Sequence, residues 1–204
     1  MVSRNLRQAS TIALGIVLVR LVSKEVVGTY NQVFLVYTLL AGLLSLQIEN
    51  SLYYFIPKLR RDQRGVLLAQ TFLTSLTTAA IIGATMFFAA VPIARLFHNP
   101  TLAPLIRVFS VYPFFERLII LIPAFMISLD KPIRAGAYSL AEGLGRTAVV
   151  IIAILLGQTL MTVLWLVVLV EAIVSLLGCL DMVRLSLPSK WALDLKLILN
   201  PVSY

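Results

Sequence analysis

Eight ionisable side chains fall inside long apolar runs of this chain: Arg20, Arg107, Arg117 and Arg146, and against them Glu49, Glu116, Glu142 and Glu171. Arginine grips anionic groups through forked, charge-assisted hydrogen bonds, and an embedded glutamate can answer a cation or a proton. Placing one such charge at a bilayer centre costs about 2.5 to 3.5 kcal/mol on insertion scales, so eight of them require pairing or a wet interior. With Asp181 assigned to the membrane interface, the embedded set sums to zero, and charge balance selects neither an anion nor a cation as ligand.

Counted from the ends of their runs, Glu116, Arg117, Arg146 and Glu171 lie near mid-depth. Glu49, Glu142 and Asp181 lie toward one face, and Arg20 and Arg107 toward the other. Glu142 and Arg146 are four residues apart with the glutamate leading, a favourable helical order, and read equally as a structural bridge or as cavity lining. Glu116 and Arg117 are adjacent, so their side chains leave the helix about 100° apart; each is expected to look to another helix or to water rather than to its neighbour. For these two and Glu171, a polar cavity between helices is the favoured reading, with inter-helix bridging as the plainer one.

Other chemistry is thinly represented. The single histidine, His98, falls in a connection, the single cysteine, Cys179, falls inside an apolar run, and no glycine loop with GKS or GKT occurs. No catalytic, metal or cofactor role is expected, and no direct use of ATP. The basic residues form no stripe interleaved with aromatics, so nucleic acid is not an expected partner.

The elements that must position these charges are apolar helices. The chain has 204 residues, 60% hydrophobic and 13% charged, with a formal net charge of +8. A soluble domain carries about 25% charged residues, and runs of about 20 apolar residues each suffice to cross a hydrocarbon core. Hydropathy predicts an all-α, polytopic transmembrane bundle of about six spans, at 8–22, 26–56, 66–97, 102–129, 135–157 and 159–185. Arg4 and Arg7 before the first run resemble a signal peptide, but Arg20 interrupts it and no cleavage site is evident, so it is expected to be kept as a span.

Short connections make consecutive spans antiparallel. Arg4, Arg7, Lys58, Arg60, Arg61, Arg64, Lys131, Arg134, Arg184, Lys190 and Lys196 then share one side, and only Lys24 and Arg95 the other. The basic side is expected to be cytoplasmic and to hold both termini. In the fourth run Pro113 stands just before Glu116, where a missing backbone donor predicts a kink facing a wet interior; packed tolerance of the proline is the alternative. Tyr30, Tyr37, Tyr53, Tyr54, Phe55, Tyr112 and Trp165 read as interfacial anchors or core. Residues 1–185 read as one six-helix lobe, and 186–204 as a cytoplasmic linker toward a further helix.

Three stretches carry a resemblance. Residues 20–30, Arg-Leu-Val-Ser-Lys-Glu-Val-Val-Gly-Thr-Tyr, resemble the first-loop signature of polysaccharide-biosynthesis flippases. Residues 51–58, Ser-Leu-Tyr-Tyr-Phe-Ile-Pro-Lys, and 128–132, Ser-Leu-Asp-Lys-Pro, are similar to that family's second-helix ending and its fourth-to-fifth loop. Residues 47–50, Gln-Ile-Glu-Asn, stand where the family commonly has glycines. The resemblance is to the O-antigen kind within the multidrug/oligosaccharidyl-lipid/polysaccharide exporter superfamily, and it covers an amino-terminal six-helix lobe.

The resemblance implies a carrier of undecaprenyl-diphosphate-linked oligosaccharide across the bacterial inner membrane. Its other half would be a carboxy-terminal lobe or a second copy of the chain. Arg117 and Arg146, with Arg20, would hold the diphosphate, and Glu116, Glu171 or Glu49 would couple a proton or sodium ion. A cation-coupled drug exporter, using Glu49 or Glu116 for a cationic compound, is the alternative within the superfamily; a membrane-embedded glycan-modifying enzyme or scaffold is the alternative outside it.

Overall fold

A computed structural model describes residues 20–44 and 49–186. Among them every regular element is helical: α1 (Lys24–Leu44), α2 (Glu49–Phe55), a 3₁₀ turn (Ile56–Lys58), α3 (Arg61–Phe88), α4 (Ala90–Leu96), α5 (Leu102–Phe109), α6 (Tyr112–Ser128), α7 (Pro132–Leu155) and α8 (Leu160–Ser186). The predicted first span apart from its last three residues, and the predicted linker apart from Ser186, lie outside the described residues. Segments Lys24–Leu44, Gln63–Phe88, Pro132–Leu155 and Leu160–Leu185 are each long and apolar enough to cross a membrane. The chain is a multi-pass membrane protein with an all-helical bundle.

Local chemistry accounts for the corners. The Ser23 hydroxyl accepts the Val26 N–H at 3.4 Å and starts α1, with Glu25 in its first turn where the helix dipole favours an acid. Three other helices end alike. His98, Asp130 and Gly157 take positive φ (52°, 56° and 66°) just after α4, α6 and α7. At each corner the next residue's N–H reaches five residues back, from Asn99 to Ala94 (3.0 Å), Lys131 to Met126 (2.9 Å) and Gln158 to Ala153 (2.9 Å). This left-handed cap satisfies carbonyls that the helix end would otherwise orphan.

The fourth predicted span is two helices rather than one. Pro113, second residue of α6, has no N–H to give the preceding turn, and the Ser110 hydroxyl closes α5 instead by donating to the Arg107 carbonyl at 2.6 Å. The predicted kink therefore falls at Ser110–Val111, directly ahead of Glu116. The third predicted span also divides, at Ala89.

α6 is the central element, packed on α2, α3, α7 and α8. Gly83 of α3 makes its approach to the α5–α6 joint feasible, since a Cβ there would stand 2.6 Å from the Ser110 carbonyl oxygen. Side-chain contacts fix which corners share an end. Asn99 donates to Thr29 (3.1 Å) and Gln32 (2.9 Å), placing the α4–α5 corner beside the start of α1. Ser128 donates to the Leu52 carbonyl (3.1 Å), and Arg134 pairs with Asp181 (3.0 Å), gathering α2, the α6–α7 corner and the end of α8 at the opposite, basic end.

Outside, Leu39, Leu43, Leu169, Ile173, Leu176 and Leu180 are each at least half exposed, an apolar coat suited to lipid and unsuited to water. Inside, the apolar core is split. One cluster, built on Ile82, Met86, Ile106, Phe109, Leu164 and Val167, fills the end away from the basic corners. A second, built on Leu52, Ile122, Phe125, Met126, Val174 and Met182, fills the basic end.

A polar layer at mid-depth as candidate site

Between the two apolar clusters the long packed helices change to polar residues at one level. On α6 the change comes at Glu116 and Arg117, between Tyr112 and Ile119; on α7 it comes at Glu142 and Arg146, and on α8 at Glu171 and Ser175. α3 contributes Thr71, Ser75 and Thr78, all buried. Thr71 and Thr78 return their hydroxyls to carbonyls of their own helix (2.8 and 3.0 Å), which makes that wall polar without adding charge.

Two charge groups occupy the layer. In the first, Arg117 Nε lies 3.1 Å from Glu116 Oε2, and the Tyr37 hydroxyl of α1 donates to the same oxygen while Arg117 Nη2 donates to that hydroxyl at 3.4 Å. The expectation that these neighbours would look to another helix rather than to each other is corrected in part: they pair, and both also reach Tyr37 on another helix. The arginine is long enough to fold back with its Nε, and both side chains turn toward one hydroxyl supplied by a neighbouring helix. Glu116 and Arg117 side chains retain 17% and 11% exposure.

In the second group, Arg146 Nη1 stands between Glu142 Oε1 (3.8 Å) and Glu171 Oε1 (3.9 Å). It also donates to the Tyr112 hydroxyl at 3.4 Å, and that hydroxyl donates to Glu171 Oε1 at 3.4 Å. The two carboxylates are buried at 1% exposure, whereas Arg146 keeps 17%. Glu142 and Arg146, read from sequence equally as a bridge or as cavity lining, are in bridging contact, and α8 makes them a three-residue set with two carboxylates on one guanidinium.

The groups touch through their tyrosines. Tyr37 and Tyr112 meet edge to face with ring centroids 4.9 Å apart at 85°, and Tyr112 stacks on Phe109 at 4.3 Å. Glu49 and Arg20, the remaining predicted site residues, stand apart, as do Arg107 and Asp181. Glu49 opens α2, within electrostatic reach of Arg117. Arg20 is exposed before α1, at the end away from the basic corners, and Arg107 lies 5.9 Å over the Phe87 ring. Asp181 serves the Arg134 pair at the basic end, with Tyr138 donating to it at 3.4 Å.

Tyr37 and Tyr112, read from sequence as anchors or core, are thus part of the site. The available signal is spacing: Tyr30, Phe34 and Tyr37 form one helical stripe, and Tyr112 precedes Glu116 by one turn. At the far end, a cavity of about 190 Å³ opens between α1 and the α7–α8 corner, lined by Leu21, Val26, Tyr30, Ile154, Leu160 and Val163. Among the described residues no three of His, Cys, Asp and Glu are grouped so as to hold a metal ion.

Comparison with curated proteins and with solved structures finds no match. The family model described as "Polysaccharide biosynthesis protein" matches residues 12–204, nearly the whole chain, and a multi-pass helical bundle with charges at mid-depth accords with it; the chain belongs to the polysaccharide biosynthesis protein family.

Proposed function

We propose that this protein is a flippase, not an enzyme, and that it moves a lipid-diphosphate-linked oligosaccharide between leaflets of a bacterial inner membrane with its basic end in the cytoplasm. The observation that carries this reading is the polar layer: Arg117 and Arg146, both partly exposed, at the mid-depth of an otherwise apolar bundle. A sugar head group cannot enter hydrocarbon without losing the hydrogen bonds of its hydroxyls, so its passage needs a polar surface at that depth. Guanidinium forks match phosphate oxygens, and glutamates beside them would exchange a proton or a sodium ion as the head group comes and goes. In this reading a second lobe or a second copy faces the layer and closes the passage on its other side.

The test is translocation of a radiolabelled lipid-diphosphate oligosaccharide in proteoliposomes, scored by access of a membrane-impermeant glycosidase. Arrival of label in the opposite leaflet with its glycan unchanged is the expected result. Arg146→Lys keeps the charge but loses the fork, and is expected to cut transport at least about tenfold. Retention of label in one leaflet, or a chemically altered glycan, would overturn the reading.

A further inference from the structure

We propose that the hydroxyls of Tyr37 and Tyr112 enable the two arginines to leave their glutamates for a diphosphate group, which makes these tyrosines positioning residues for anion binding. The inference rests on the carrier reading above and deepens it. The two charge groups share one plan. In each, a hydroxyl sits between a guanidinium and a carboxylate: Tyr37 donates to Glu116 and accepts from Arg117 at 3.4 Å, while Tyr112 donates to Glu171 at 3.4 Å and accepts from Arg146 at 3.4 Å.

The consequence follows from what each member can do without. A guanidinium that turns toward phosphate exchanges one anion for another and remains compensated. The carboxylate it leaves loses its cation while still inside the bundle, and that is the costly half of the exchange. A tyrosine hydroxyl that stays behind keeps a donor on the carboxylate oxygen and offsets part of the cost. In the Arg146 group burial follows the same division, with Glu171 1% exposed and Arg146 17%, so the member that reaches an arriving ligand there is the cation; in the Arg117 group both members keep some exposure, Arg117 11% and Glu116 17%. The hydroxyls are held in place because the rings are, by the edge-to-face contact between them and by the Phe109 stack under Tyr112.

The experiment titrates the purified chain in lipid nanodiscs with inorganic pyrophosphate by calorimetry, with the unfolding temperature measured without ligand. Tyr37→Phe and Tyr112→Phe are each expected to weaken binding about tenfold, the effect of one lost hydrogen bond to a charged group, with unfolding temperatures near wild type. Adding Glu171→Gln to Tyr112→Phe is expected to restore affinity, because a neutral amide is less costly to abandon; a merely structural tyrosine would not be rescued this way. Glu171→Gln alone is expected to tighten binding, which keeps the test decisive if a phenylalanine variant folds poorly. Wild-type affinity in both phenylalanine variants, or no gain from Glu171→Gln, overturns the inference. Translocation measured in parallel separates the two readings: transport without tyrosine dependence leaves the carrier standing, and neither binding nor transport by the wild type removes both.

Discussion

Arg146 and Glu171 meet across α7 and α8 with Nη1 3.9 Å from Oε1, and Glu142 approaches the same nitrogen to 3.8 Å from its own helix. Two buried carboxylates on one guanidinium make the three residues unequal. Loss of the arginine takes from both acids the cation they share, whereas loss of one acid leaves that cation with the other. Arg146→Met is therefore expected to cost about 3 to 5 kcal/mol, and Glu171→Gln about 1 kcal/mol. Thermal unfolding of the purified variants in one detergent checks the order; equal losses would contradict the shared-cation geometry.

Gly83 faces the α5–α6 joint with no room for a methyl group, since its Cβ would lie 2.6 Å from a backbone oxygen and 3.2 Å from Phe114. Gly42 of α1 faces open space, and a Cβ there would meet nothing within 4 Å. Gly83→Ala is expected to destabilise by about 1 to 3 kcal/mol through overpacking, while Gly42→Ala is neutral or slightly stabilising through helix propensity. Folded yield after solubilisation, together with unfolding temperature, distinguishes the two.

At the basic end, Arg134 and Asp181 pair at 3.0 Å, yet Arg134 is half exposed. Exposed pairs are screened and contribute about 0 to 1 kcal/mol. Asp181→Asn is expected to shift unfolding temperature by no more than about 3 °C, and the shift should shrink further in high salt. A larger, salt-insensitive loss would mean that the pair is sealed from water.

Much of this architecture is legible in the residues, and the failures have physical causes. The corners at His98, Asp130 and Gly157 fall where the apolar runs pause, because a left-handed cap needs only one or two residues and leaves a short polar interruption. The break at Ser110–Val111 is signalled by Pro113, but hydropathy runs straight through it, because apolar content does not report backbone hydrogen bonding. Glu116, Arg117, Arg146 and Glu171 are found by depth alone. Their grouping into two sets is not, because it depends on how α1 and α8 rotate about their axes to present Tyr37 and Glu171, and rotation is settled by the packing of α1 on α3 and α5 and of α8 on α6 and α7 rather than by any run of residues.

The corner contacts give the orientation of the bundle a direct test. Asn99 and Gln158 belong to corners at one end, and Arg60 and Lys131 to the basic end. Cys179 is the single cysteine, so a Cys179→Ser background carries no thiol. A new cysteine at 99 or 158 is expected to react with a membrane-impermeant maleimide added to intact cells. A cysteine at 60 or 131 is expected to react only after the membrane is permeabilised, since the basic corners face the cytoplasm in the proposed orientation. The reverse pattern would invert the assignment of sides while leaving the helix packing intact. Labelling of all four from outside would be incompatible with any bundle in which α3 and α7 cross the bilayer.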